Sequence, residues 1–229
     1  MKLLSPLRCT LLTSFFAFGS AGAQTINWGN AAPVPASTII NFDSEGNALD
    51  GSFTWEFGVF DAGFDPALED PETWFQGDNW IALDSATVAE GTYDPAISFF
   101  SDSFVITAAE DVYKGRQAYI FGYNQLSPVD ETTEWVLITD DDGLNGDDWI
   151  LPPHQDQSGL TLEWRVSNAT TPVFGGLNNV DGPGETSDTP PAFELQTNTF
   201  PVPEPGTFLF YGVAGLLGAR RRRSRRSRR

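Results

Sequence analysis

Five carboxylates and one amide fall within nine residues at Asp140-Asp141-Asp142-Gly143-Leu144-Asn145-Gly146-Asp147-Asp148. The two glycines let the backbone curl. Calcium takes about six to eight oxygen ligands from carboxylates, amides and main-chain carbonyls. An extracellular module is useful even with a Kd of ~10⁻⁴ to 10⁻³ M. Asp140, Asp142, Asn145, Asp147 and Asp148 are therefore candidate Ca²⁺ ligands. The spacing is not that of an EF-hand, because Leu144 stands two residues after Asp142 and no Glu closes the loop. A solvated acidic loop is the competing reading.

Other chemistry finds less support. His154 is the only histidine, and there is no Gly-x-Ser-x-Gly elbow to pair with it. Cys9 is the only cysteine, so neither a thiol nucleophile nor a Cys/His zinc site is expected. A carboxylate pair could hydrolyse a glycoside, but acids are so abundant that every spacing occurs. A hydrolase is therefore the weakest alternative, and no catalytic residue is assigned. Seven tryptophans could stack on sugars. Most lie on strand patterns and read as core. Trp74 and Trp149, flanked by Pro, Asp and Glu, are the candidates for an exposed glycan-stacking platform.

The elements that must position these residues read as strands. Residues 52–60 alternate Phe53, Trp55, Phe57 and Val59 against Thr54, Glu56 and Gly58. Further strands are expected at 38–42, 79–84 with 86–89 (a pair or one bent strand), 96–100 with 103–107, 117–123, 132–139 and 160–167. The 132–139 segment is apolar on both faces and should be central. Residues 24–37 read as irregular, 61–77 as a loop with a helical turn at 66–70, and 168–191 as loop-rich. Residues 193–200 form a last strand or a linker. No 3.6-residue apolar period runs through 24–200. The expected fold is all-β, an antiparallel β-sandwich of the jelly-roll or immunoglobulin-like kind.

Charge divides the chain sharply. Residues 24–202 hold thirty acids and only Lys114, Arg116 and Arg165 as bases, a net charge near −27. Such a field repels nucleic acid and attracts divalent cations. All seven Trp and thirteen of the eighteen Phe share this region, enough aromatic mass for a core. Residues 1–23 have a basic start (Lys2, Arg8), an apolar run and Ala21-Gly22-Ala23 as a small-x-small cleavage site. A cleaved signal helix is expected, with Gln24 opening the mature chain. Cys9 would leave with the signal, and with it any disulfide.

The C-terminus has three parts. Pro203-Glu204-Pro205 breaks the backbone, 207–219 is an uncharged apolar run, and eight of the ten residues from 220 to 229 are Arg. Thirteen helical residues reach roughly 20 Å, short of a ~30 Å hydrocarbon core, but arginine stems can snorkel and lengthen the segment. Arg220, Arg221, Arg222 and Arg223 would stop transfer on the cytoplasmic side. A basic nucleic-acid arm would need neither the apolar run nor the proline break.

This order at the extreme C-terminus resembles a PEP-CTERM sorting signal. The resemblance covers 203–229 and extends to no part of the body. It implies a bacterial protein exported across the inner membrane. It also implies recognition of Pro203, Glu204 and Pro205 by an exosortase, a membrane-embedded transpeptidase that removes the tail. Such proteins are associated with biofilm, exopolysaccharide or the cell surface. The expected role is thus a non-enzymatic exported surface or matrix protein, transiently anchored in the inner membrane. A carbohydrate-binding module, with or without Ca²⁺, is the alternative.

Overall fold

In the computed structural model, residues 23–32, 38–144, 148–155 and 159–200 are described. The signal segment before Ala23, Asn145, Asp147 and the whole sorting tail lie outside them. Thirteen strands are found among the described residues, and helical structure is limited to three short 3₁₀ turns at Pro71–Thr73, Glu110–Tyr113 and Val166–Asn168.

The strands are β1 (Gln24–Gly29), β2 (Asn41–Phe42), β3 (Thr54–Phe60), β4 (Trp80–Ala86), β5 (Tyr93–Asp94), β6 (Phe99–Ile106) and β7 (Ala118–Tyr123). They continue as β8 (Glu134–Thr139), β9 (Thr161–Arg165), β10 (Thr171–Phe174), β11 (Gly176–Leu177), β12 (Leu195–Gln196) and β13 (Asn198–Thr199). One sheet runs β5-β6-β1-β9. A second runs β10-β8-β7-β3-β4, with β13 also on β8, and a small third runs β11-β12-β2.

Period-two alternation decides which face each side chain takes. Ile26, Trp28, Phe104, Ile106 and Trp164 of the first sheet meet Trp55, Phe57, Val59, Ile120, Val136 and Ile138 of the second. The two sheets thus enclose one core, an all-β arrangement consistent with a sandwich. The opposite side chains of the second sheet build another core: Phe60, Phe121, Trp135 and Leu137, capped by Trp74, Phe174 and Phe200. Apart from Glu134 at its start, β8 is buried along its length and contributes to both cores, as its doubly apolar sequence requires.

Close aromatic packing needs glycine on β7. Trp55 lies flat on Phe100, centroids 3.8 Å apart and planes within 8°. A Cβ on Gly122 would come within 2.3 Å of the Trp55 ring, so only glycine lets the indole lie there.

Several expectations are corrected. The 24–37 segment is not wholly irregular: 24–29 is an inner strand, β1, between β6 and β9. Its register with β9 is parallel, as is that of β2 with β12, so the first and third sheets are mixed while the second is antiparallel throughout. Parallel partners lie far apart in sequence, and nothing local announces them. The break expected near Ser101-Asp102 does not occur, because sheet pairing carries the chain through β6, and of the two readings of 79–89 the single strand holds, with β4 shifting register against β3 and ending at Ala86. A hydrogen-bonded turn forms within 66–70, with Leu68 N–H and Glu69 N–H on the Asp65 carbonyl at 3.1 and 3.2 Å, and a 3₁₀ turn that was not expected follows at Pro71–Thr73, capped by the Asp70 side chain on Glu72 N–H. The loop-rich 168–191 segment contributes β10 and β11. Residues 193–200 are no linker, since β12 and β13 are both paired.

Candidate functional site

The acidic turn follows β8. Asp140 is buried, and its carboxylate accepts from Thr170 Oγ1 at 2.7 Å. Its carbonyl accepts from Trp149 N–H and from Gln117 Nε2, each at 2.9 Å. Asp141 accepts from the Thr171 hydroxyl. The Asp142 carboxylate caps Leu144 N–H at 2.7 Å, and Asp148 reaches back to Gly143 N–H at 3.0 Å. Asp142 and Asp148 therefore satisfy the turn's own donors, while Asp140, which is buried, and Asp141 hold the hydroxyls of Thr170 and Thr171. Among the described residues, no group of three or more His, Cys, Asp and Glu side chains is gathered as metal ligands would be. The other two candidates, Asn145 and Asp147, lie outside the described residues.

The glycan-stacking candidates are corrected. Trp74 and Trp149 are each 1% exposed. Trp149 stacks on Trp164 at 6.1 Å inside the main core, while Trp74 stacks on Trp135 at 6.0 Å inside the second. The exposed Asp70 and Glu72 beside Trp74 hid this in its case, since an indole is large enough to turn inward from a polar stretch. Neither ring offers a free face to a sugar. His154 has its backbone N–H on Asp111 at 2.7 Å and its ring Nδ1 3.1 Å from the Ile106 carbonyl. These contacts tie the 151–155 segment to the region of β6.

Two features carry no local sequence signal. The first is a groove of about 460 Å³ between the 66–74 loop and the 173–184 segment. Phe174, Phe200 and Pro183 line it, with Glu69, Asp70 and Glu72 also at its walls. An apolar lining with acidic groups can accept sugar hydroxyls while covering a ring face.

The second is a carboxylate clamp. Glu134 accepts from Ser44 Oγ at 2.5 Å, Ser44 N–H at 3.1 Å and Thr197 Oγ1 at 2.5 Å. It ties the turn after β2 to the residue between β12 and β13.

Two further carboxylates are held near indole or amide donors. Burial pushes Asp84 above the usual carboxylate range, against the opposing hydrogen bond from Trp28 Nε1 at 2.8 Å, and the charge of Asp102 pushes the same way as burial. Burial likewise raises Glu194, opposed by Asn30 Nδ2 at 2.8 Å. Tyr119 is pushed up to about 12 by burial.

No family model matches the chain, and no similar curated protein or solved structure is found. No helix among the described residues is long and apolar enough to cross a membrane.

Proposed function

We propose that this chain is an exported surface or extracellular-matrix protein with a sandwich body and a removable sorting tail. The finer reading of the body is a jelly-roll or immunoglobulin-like sandwich. The carrying observation is the three-part order of 203–229: Pro203-Glu204-Pro205, the uncharged run and the arginine cluster. An exosortase-like transpeptidase would act at Pro203, Glu204 and Pro205 while the apolar run holds the chain in the inner membrane. The arginines would keep the far end cytoplasmic.

The division between body and tail supports this reading. Phe200 is still packed, its ring 4.7 Å from Trp135 and 5.0 Å from Phe174. Packing thus reaches to three residues before Pro203. The buried aromatics suit a passive body, and the net charge near −27 keeps an exported chain soluble and away from nucleic acid. Within the proposal the 140–148 turn is a self-capped acidic loop. A calcium-induced rise in melting temperature, abolished by Asp142→Ala and Asp147→Ala, would overturn that part and restore the metal site.

The test is fractionation of the native host. The processed body is expected outside the inner membrane, lacking its tail. Pro203→Ala with Glu204→Ala should leave the full-length chain in the membrane fraction. Finding the unclipped chain in the cytosol would refute the proposal.

The groove, whose lining includes the otherwise buried Trp74, gives the carbohydrate-binding alternative its place. Binding on a glycan array that Glu69→Ala with Glu72→Ala removes would favour it. Turnover of a polysaccharide would instead favour the hydrolase.

A further inference from the structure

The alternation of β1 places Gln24, Ile26 and Trp28 on the inward side. Ile26 and Trp28 are wholly buried core residues, so the pattern calls for an apolar group at 24 as well. Gln24 is 1% exposed, and its side-chain oxygen Oε1 has no hydrogen-bond partner. It stands opposite Ile106, itself 1% exposed, while the next residue is tied by Thr25 N–H to the Leu160 carbonyl at 3.0 Å. Ala23, by contrast, is exposed. The junction expected for signal cleavage is thus also the point where the chain passes from solvent into the sheet.

Cleavage between Ala23 and Gln24 would create an ammonium group on a buried residue. Burying a charge without a partner is far more costly than burying a neutral amide. Low-dielectric surroundings favour the neutral amine, which is the nucleophilic form. Glutamine can remove the problem within a single residue. The amine nitrogen attacks the side-chain carbonyl carbon Cδ and closes a five-membered lactam. The Cδ–Nε2 bond breaks, and Nε2 leaves as ammonia with the proton lost by the attacking nitrogen. No oxidant, reductant or co-reactant enters. One neutral lactam replaces an ammonium and a primary amide, which leaves fewer polar groups to desolvate at an inward position.

From this we infer that Gln24 is a modification site: after signal cleavage it is converted to pyroglutamate, and the lactam is the form that β1 buries. The inference rests on the export reading and on cleavage after Ala23.

The experiment has two arms. In the first, the N-terminal peptide of the exported protein is taken from the native host and weighed. It should start at position 24, be lighter than the glutamine peptide by one ammonia and resist stepwise N-terminal degradation. A free amine on Gln24 in the mature protein would overturn the inference. An N-terminus elsewhere would overturn the cleavage reading and the inference with it, whereas a free amine on a chain that does start at Gln24 overturns the inference alone. In the second arm, a chain of 24–200 plus its tail is released from a fusion so that it starts at Gln24, and the fresh and cyclised forms are compared. The cyclised form should melt higher by about 2–4 °C. Equal melting would overturn the inference. A Gln24→Ala chain made the same way should fold and lose no mass.

Discussion

Single side chains carry the sharpest expectations. Gly122 exists as glycine because the Trp55 ring occupies the space of its Cβ. Gly122→Ala should therefore cost roughly 1–3 kcal/mol or more, as overpacked cores do, and urea unfolding would register it as a lower midpoint. Asp84 makes a pH prediction. Its carboxyl is raised in the folded state, mainly by burial, so the folded chain holds that proton where the unfolded chain has lost it. The group therefore weakens the fold above its raised value, and stability is regained as pH falls toward the ordinary aspartate range. Asp84→Asn keeps an oxygen for Trp28 Nε1 and removes the charge. It should raise the melting temperature at pH 7, and the gain should vanish near pH 4. A gain independent of pH would refute this account. Asp50 acts in the opposite sense, since hydrogen bonds from Ser52 hold it low and its contribution fades on acidification.

At the scale of elements, the final strands decide whether the second core closes. β13 lies on β8 through Asn198 opposite Trp135 and Thr199 opposite Glu134. Its other edge bonds to Glu185, with N–H to carbonyl distances of 2.9 Å in both directions. Phe200 then plugs the Trp135–Phe174 corner. Phe200→Ala should cost about 3–5 kcal/mol, the usual range for truncating a buried aromatic. Removing residues 201–229 keeps every described strand and Phe200, so the unfolding midpoint should stay unchanged. Glu134→Ala would leave the Ser44 and Thr197 donors without their acceptor. A loss of ~1–3 kcal/mol is expected, readable by the same unfolding curves. A neutral result would show that these donors find other partners.

For the whole molecule, the dominant quantity is charge. Thirty acids and three bases on one body repel one another. Screening shortens that repulsion, with a Debye length near 30 Å at ~0.01 M salt and near 10 Å at ~0.1 M. The melting temperature should climb over that range of added sodium chloride, and a flat response would argue that the acids are locally balanced. The same charge suits a chain released from a membrane, since anionic surfaces would not hold it once the arginine tail is gone.

The amino-acid order alone was enough for the all-β class. Alternation is local: Phe53, Trp55, Phe57 and Val59 announce β3 with no knowledge of partners, and the apolar run of β8 announces a strand covered on both sides. The export reading is also purely sequential, because a signal or sorting segment acts through its own apolarity and charge. Tertiary structure alone decided the rest. Gln24 to Gly29 became an inner strand only because β6 and β9, far along the chain, offered edges on both sides. Trp74 and Trp149 turned inward because the two cores had room for indoles, a fact that their polar neighbours concealed. The Glu134 clamp and the acidic groove gather residues from distant segments. Such convergence depends on how sheets stack, and a one-dimensional pattern holds no record of that.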